Sequence, residues 1–385
     1  MKKFLALLLS LVLLVACFTA CAPKQEEKTE TKTETETKTE TKTETETKTD
    51  NPPAEEKVYI PVMAKGFQHQ FWQAVKAGSD AAAEELGIEI YFDGPASETD
   101  IDVQVNMIKQ EMAKKPKAMA LAALSTDAVK EILEECAEKN IPVIGFDSGV
   151  PDDTSGAVKA TAATNNEAAA ALAAEKFGEN ADIVAAMQAA TSDNPVIIAC
   201  LSQDAVSASV TGRTTGFVNK MKEIAETYQA GKVSVEGHTK WEAKVSDPAI
   251  IIRVEVSATT EATAVQTSAN TLLNLKGLKA VFCSNEGTVT GFLAAVSDGE
   301  DLADGGKYAD LVVAGFDAGS AQKNAIRQGW FYGSVTQDPF SIGYNAVKMA
   351  YAAYNGESVS DVDTGAKWYN SENIDDADIA LLVYD

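Results

Sequence analysis

Short β-branched runs alternate with amphipathic stretches of helical period along most of the chain, the pattern of a parallel α/β sheet covered by helices. The first strands predicted are VYIPVM (58–63), IEIYF (88–92), AMALAA (118–123) and PVIGF (142–146), with helices beginning near Phe71, Ile101 and Thr126. Ser125-Thr126-Asp127 supplies cap chemistry for the third helix. A second series opens with a helix near Glu167. It continues through VIIACL (196–201), IIIRVEV (250–256), AVFCS (280–284), LVVAGF (311–316) and FYGSVTQ (331–337), after which Asp338-Pro339 should start another helix. The 328 residues from 58 onward are about twice a common domain size, so two α/β lobes are expected.

The pattern at the start of the chain is different. Lys2 and Lys3 precede an apolar run from Phe4 to Ala16, interrupted only by Ser10, the length of a signal-peptide core and short for a bilayer span. The run ends in Leu14-Val15-Ala16-Cys17, followed by Phe18-Thr19-Ala20-Cys21, and each resembles the lipobox of bacterial lipoproteins, in which cleavage precedes a lipid-bearing cysteine. A signal over 1–20, with cleavage before Cys17 or Cys21, is the expectation. Residues 22–57 are almost only Lys, Thr and Glu before Asn51-Pro52-Pro53, a composition that cannot bury a core and reads as a disordered tether.

Composition narrows the function. The formal charge is −24, and nucleic acid is excluded as a partner because no surplus of Lys and Arg exists to neutralise phosphates. Setting aside 2 Lys of the leader and 7 Lys with 11 acids of the tether leaves 24 basic and 46 acidic residues, so the excess acid belongs to the lobes. Histidine occurs only at His69 and His238, and the five cysteines form no Cys-x-x-Cys pair, so no metal or cofactor is expected. Cys136, Cys200 and Cys283 lie in apolar contexts suited to buried free thiols. Arginine is limited to Arg213, Arg253 and Arg327.

One internal echo points to a cleft. Gly-Phe-Asp-x-Gly ends the strand at 142–146 and again the strand at 311–316, placing Asp147 and Asp317 just past two buried strands. Ligands of open α/β sheets sit outside the carboxyl ends of strands, although an Asp there can equally cap the next helix. Asn285 follows another strand in the same way, and Gln337 ends FYGSVTQ. His69, Phe71 and Trp72 stand where the first strand passes into a helix, as a stacking surface for a ligand or as the buried first turn. Arg213 falls at an expected helix start, where the dipole disfavours a cation, and a forked donor facing hydroxyls or a carboxylate gives it a reason to be there. Aromatics, two carboxylates, a guanidinium and amides, with no nucleophile–base pair, suit a neutral polyhydroxyl compound. Two carboxylates also admit a glycosidase built on Asp147 and Asp317.

The order of motifs resembles the periplasmic sugar-binding proteins of the ribose/galactose type, the substrate-binding components of ABC importers. GFQHQFWQAVKAG (66–78), STDAV (125–129), NIPVIGFDSG (140–149), GRTTGF (212–217), AVFCSNE (280–286), VVAGFDAG (312–319) and SVTQDPFSIGYNAV (334–347) carry the resemblance across about the whole of 58–385. It implies the periplasmic-binding-protein type I fold: two Rossmann-like lobes joined by three crossing segments, here 58–164 with 338–364 and 165–337 with 365–385. It also implies a non-enzymatic monomer, lipid-anchored outside the cytoplasm, that hands a sugar to a transporter permease. Phe71 and Trp72 take the place of the family's aromatic pair and His69 that of an amide on the sugar. Asp147, Arg213, Asn285, Asp317 and Gln337 keep the family's residue types, with Phe316 beside the second aspartate. Three positions depart: Ala122 for an Asn, Ser148 for an Arg, Thr260 for an aromatic. A roomier or differently polar pocket than a ribose site is therefore expected, and a nucleoside binder of similar architecture is the alternative.

Overall fold

A computed structural model describes residues 57–384; the leader, both lipobox cysteines and nearly all of the tether lie outside the described residues. The first part of the chain runs β1 (Tyr59–Met63), α1 (Gln70–Leu86), β2 (Glu89–Asp93), α2 (Ile101–Ala113), β3 (Met119–Leu121), α3 (Lys130–Glu138), β4 (Val143–Phe146) and β5 (Val158–Ala163). The second runs α4 (Asn166–Glu179), α5 (Ala181–Ala189), β6 (Val196–Ser202), α6 (Ala208–Tyr228), β7 (Val233–Glu236), β8 (Ile250–Val256), α7 (Ala262–Leu273), β9 (Leu278–Cys283), α8 (Glu286–Ala295), β10 (Val312–Phe316), α9 (Ser320–Arg327) and β11 (Gly333–Gln337). The chain closes with α10 (Pro339–Tyr354), β12 (Val362–Asp363), β13 (Ala366–Tyr369) and α11 (Ala377–Ala380).

Two sheets result, ordered β12-β5-β4-β3-β1-β2 and β13-β11-β10-β9-β6-β8-β7. Every pairing is parallel except β11 with β13. Both faces of each sheet are covered, which is why the inner strands read as continuous apolar runs. In β6, Ile198 and Cys200 pack with Phe177, Phe217 and Phe282, while Ala199 and Leu201 face Val265, Leu272 and Phe292. β8 sends Ile250, Ile252 and Val254 to the core and pairs Arg253 with Glu255 at 2.9 Å on its half-buried face. In the first sheet, Ile60, Val62 and Ile144 meet Trp72, Val75 and Ile342, and Met119, Leu121 and Val143 meet Ile108, Ile132 and Leu133.

α10 returns to the first lobe and lies against α1 at backbone contact. A Cβ on Gly78 would sit 2.0 Å from the Phe340 carbonyl oxygen, and one on Gly343 would sit 2.0 Å from that of Val75. The chain therefore passes between the sheets three times, after β5, after β11 and between β12 and β13. Two of the passages are tied together: the Asp363 carboxylate accepts the Asn165 and Gly365 N–H groups at 3.0 and 2.9 Å, and Thr164 Oγ1 donates to the Gly365 carbonyl at 3.1 Å.

Two helix starts differ from the expectation. The helix placed near Thr126 begins at Lys130, because Ser125 Oγ accepts the Ala128 N–H and closes a turn ahead of it. The helix bearing Arg213 begins at Ala208 after an extended Ser207, so Arg213 lies in its second turn and the dipole argument does not apply to it. β5 and β7, with their mixed sequences VKATAA and VSVE, were not among the predicted strands.

Candidate functional site

The carboxyl ends of the central strands of both sheets face one cleft. Asp147 follows β4 and Asp317 follows β10, each in the left-handed region with φ of 50° and 77°. A non-glycine residue held there stores strain of order 1–3 kcal/mol, which persists where the surroundings over-determine it. Asp147 N–H donates to the Ala162 carbonyl and Asp317 N–H to that of Val335, at 3.1 and 2.7 Å, so the adjacent strands pin both turns. Neither carboxylate caps the element that follows it. Asp317 instead accepts the N–H of Glu286, an unsatisfied donor at the start of α8, at 2.9 Å, and Gln337 Nε2 at 2.6 Å.

Arg213, 3% exposed, reaches across the cleft from α6. Its guanidinium lies 3.7 Å from Asp147 Oδ1 and 3.5 Å from Asp317 Oδ2. Nε donates to Asn166 Oδ1 at 2.8 Å and Nη1 to the Ser284 carbonyl at 3.2 Å. The guanidinium carbon stands 4.0 Å over the Phe316 ring. Phe316, expected to touch ligand, is thus covered by Arg213 and does not line the cavity; it supports the plane of the fork.

The cavity between the lobes is lined by Lys65, His69, Phe71, Trp72, Glu98, Asp147, Val210, Arg213, Asn285, Asp317 and Gln337. Phe71 and Trp72 are both the buried first turn of α1 and part of this lining, with ring centres 5.0 Å apart at 84°. Asn285 caps α8 through a reciprocal bond pair with Thr288 and donates its amide to Gln203. His69 precedes α1, with Nε2 3.9 Å from Glu98 Oε1.

Lys65 and Glu98 were not singled out from the sequence. Lys65 Nζ lies 3.3 Å from Asp147 Oδ2 and donates to Ser209 Oγ of the other lobe at 3.2 Å. Glu98 accepts Trp72 Nε1 and, across the lobes, Gln203 Nε2, each at 2.9 Å. Burial alone would favour a neutral Lys65, but Asp147 and Glu98 outweigh it and raise the ammonium above its ordinary range. Burial likewise works against a charged Glu98, and Lys65, His69 and the two donors hold it below the usual carboxylate range. Asp147 is pushed up by burial, with Lys65 and Arg213 pulling it back. A lysine at the end of a buried strand, as in Val62-Met63-Ala64-Lys65, is the one signal that could have found Lys65. Glu98 sits in a polar loop with nothing in the sequence to mark it.

The three departures lie outside the lining. The Ala122 carbonyl accepts Gln104 Nε2 at 2.9 Å, Ser148 Oγ accepts the Ser209 N–H across the lobes at 3.2 Å, and Thr260 shares a hydroxyl bond of 2.8 Å with Thr99. Lys65 and Glu98 stand in the cavity, and the void left is about 20 Å³. The lobes are therefore closed on each other. Glu286 of the second lobe accepts the Gln70 and Phe71 N–H groups at the start of α1, at 3.2 and 3.4 Å, and Gln70 Oε1 accepts the Ser320 N–H at 2.8 Å.

Residues 60–358 match the periplasmic binding protein domain family. The chain belongs to that family. A solved structure from Brachyspira murdochii, described as an ABC transporter and LacI family transcriptional regulator, is 42% identical, with 86% of this chain and 99% of that one covered at a TM-score of 0.71. A carbohydrate transporter solute binding protein from Agrobacterium radiobacter, in complex with D-arabinose, is 27% identical, with coverage of 85% and 99% and a TM-score of 0.69. The D-allose-binding periplasmic protein of Escherichia coli K12 is 23% identical over 310 residues, 78% of this chain and 86% of that protein. The cavity described above is lined by residues at the carboxyl ends of strands of both sheets.

Proposed function

We propose that this protein captures a monosaccharide or related polyol between its lobes and delivers it to the permease of an ABC importer, held at the membrane by a lipid on Cys17 or Cys21. The observation that carries the reading is a set of three buried polar atoms without hydrogen-bond partners, His69 Nε2, Asp147 Oδ2 and Gln337 Oε1, all on residues that line the same cavity. The Asp147 oxygen has Lys65 at 3.3 Å without hydrogen-bond alignment, so its lone pairs stay available. Buried polar atoms are ordinarily satisfied, and a carboxylate and an amide oxygen call for donors. Sugar hydroxyls supply donors and acceptors together, and Phe71 and Trp72 offer ring surface to the aliphatic face of a pyranose or furanose. The sugars named for the relatives support the same class of ligand.

No turnover is proposed. Both aspartates are paired with Arg213, at 3.7 and 3.5 Å. A ring enters only when the lobes part, so capture is a hinge motion whose closed state the ligand favours by touching both lobes. Calorimetry with D-allose, D-arabinose, D-fucose, adenosine and guanosine tests the reading. At least one sugar should bind at micromolar or tighter Kd, and Asp317→Ala with Arg213→Ala should abolish it. Binding of a nucleoside with no sugar bound would replace this reading by nucleoside capture, and hydrolysis of an aryl glycoside would overturn the absence of chemistry.

A further inference from the structure

Beside the inner cavity lies a second one of about 250 Å³; Glu98 lines both, and Gln203 lines the outer one. Its walls come from both lobes: Ile101 and Leu124 from the first, Val206 and Val256 from the second. Val206 is 49% exposed, an aliphatic side chain at the surface with this space in front of it. A hydrogen bond between the lobes stands where the two cavities adjoin. Glu98 Oε1 faces inward to Trp72 Nε1, and Oε2 accepts Gln203 Nε2 from the opposite lobe, each at 2.9 Å. Because that bond spans the lobes, it breaks whenever they part and is remade only if nothing lies between its ends. At the outer edge the hydroxyls of Thr99 and Thr260 meet at 2.8 Å.

We infer that the outer cavity is a subsite for a substituent carried by the bound sugar, so that the protein accepts glycosides as well as free monosaccharides. The inference rests on the sugar reading above. With a glycoside bound, the substituent passes between Glu98 and Gln203, Glu98 Oε2 takes a ligand hydroxyl in place of the amide, and the apolar part of the substituent lies on Val206, Val256 and Ile101. The inner residues keep their contacts with the ring.

Calorimetry with D-allose, D-arabinose and D-fucose, followed by the methyl and phenyl glycosides of both anomers of each, tests the assignment. At least one glycoside should bind within about tenfold of its parent sugar or tighter. Val206→Trp fills the outer cavity from a half-exposed position and should weaken that glycoside by at least about tenfold, while the free sugar changes by less than about threefold. Ala258→Trp, on the same wall and exposed, repeats the test should the first variant fold poorly. Free sugar bound with every glycoside more than about tenfold weaker overturns the inference and leaves the sugar reading standing. Equal loss of sugar and glycoside in both variants overturns it as well. Binding of no sugar and no glycoside removes both readings.

Discussion

Replacing Arg213 by Met tests whether the cleft is held by charge. Methionine keeps an unbranched side chain but removes the fork, including the guanidinium carbon over Phe316, which leaves Asp147 and Asp317 facing each other without the cation between them. At an effective dielectric constant near 20, each pair at 3.5–3.7 Å is worth about 4–5 kcal/mol before desolvation. Removing one partner of a buried pair costs about 3–5 kcal/mol once desolvation is counted. The lower end applies here, because Asp147 keeps Lys65 at 3.3 Å and Asp317 keeps Gln337 and the Glu286 N–H at 2.6 and 2.9 Å. A loss of about 3 kcal/mol is expected in urea unfolding at neutral pH, with near- and far-ultraviolet circular dichroism checked for coincident transitions. In an Asp147→Asn background the loss should shrink by about 1–3 kcal/mol, since the two side chains are in direct contact. Additivity of the two substitutions within about 0.5 kcal/mol would refute the reasoning, as would an Arg213→Met protein as stable as its parent.

Glu98→Gln keeps one acceptor where the carboxylate serves both Trp72 and Gln203, and should cost about 1.5–3 kcal/mol, the worth of a hydrogen bond to a charged group. The folded-state value of Glu98 lies below its ordinary 4.5, so its stabilisation is present above pH 4.5 and lost as pH falls through the folded value. Parent and variant should therefore converge in acid urea titrations; a gap that stays constant below pH 4.5 would count against a charged Glu98. Gly343→Ala forces a Cβ against the Val75 carbonyl and should destabilise the first lobe by about 1–3 kcal/mol or more, while an exposed control such as Gly356→Ala is strained only by its own φ of 78°. Equal effects of the two glycine substitutions, measured by thermal unfolding, would show that α1 and α10 do not need their close approach.

The central strands were legible because they are buried on both faces. β1, β4, β6, β9 and β10 carry apolar residues in both registers, and no other element explains such runs bounded by Gly and Asp. β5 and β7 were not legible for the converse reason. β5 alternates Ala160 and Ala162 in the core with Lys159 and Thr161 outside it, and β7 is a four-residue edge, so neither offers enough contrast to stand out from a loop. Helix starts moved where a side chain satisfied a turn first, as Ser125 does for Ala128, because a cap residue in sequence does not say which N–H it will meet.

Part of the cleft followed from the same logic. Asp147, Asp317, Asn285 and Gln337 are found by strand ends alone, since the end of a buried parallel strand is where a polar side chain can face a crevice without leaving the sheet unpaired. Lys65 and Glu98 depend on something sequence position does not encode, namely which charges the other lobe brings. Glu98 stays ionised in the interior through Lys65, His69 and the donors of Trp72 and Gln203, and one of those donors arrives only when the second lobe closes. The closed cleft is therefore not a set of ligand contacts waiting on two rigid halves. It is a charge network shared across the lobes, Lys65 and Arg213 among Asp147, Glu98 and Asp317, and any sugar that binds must replace part of that network with its hydroxyls. Its affinity then reports the difference between two well-satisfied states, which is why the unpartnered oxygens of Asp147 and Gln337, the places where the self-made network falls short, should decide which ring orientation prevails.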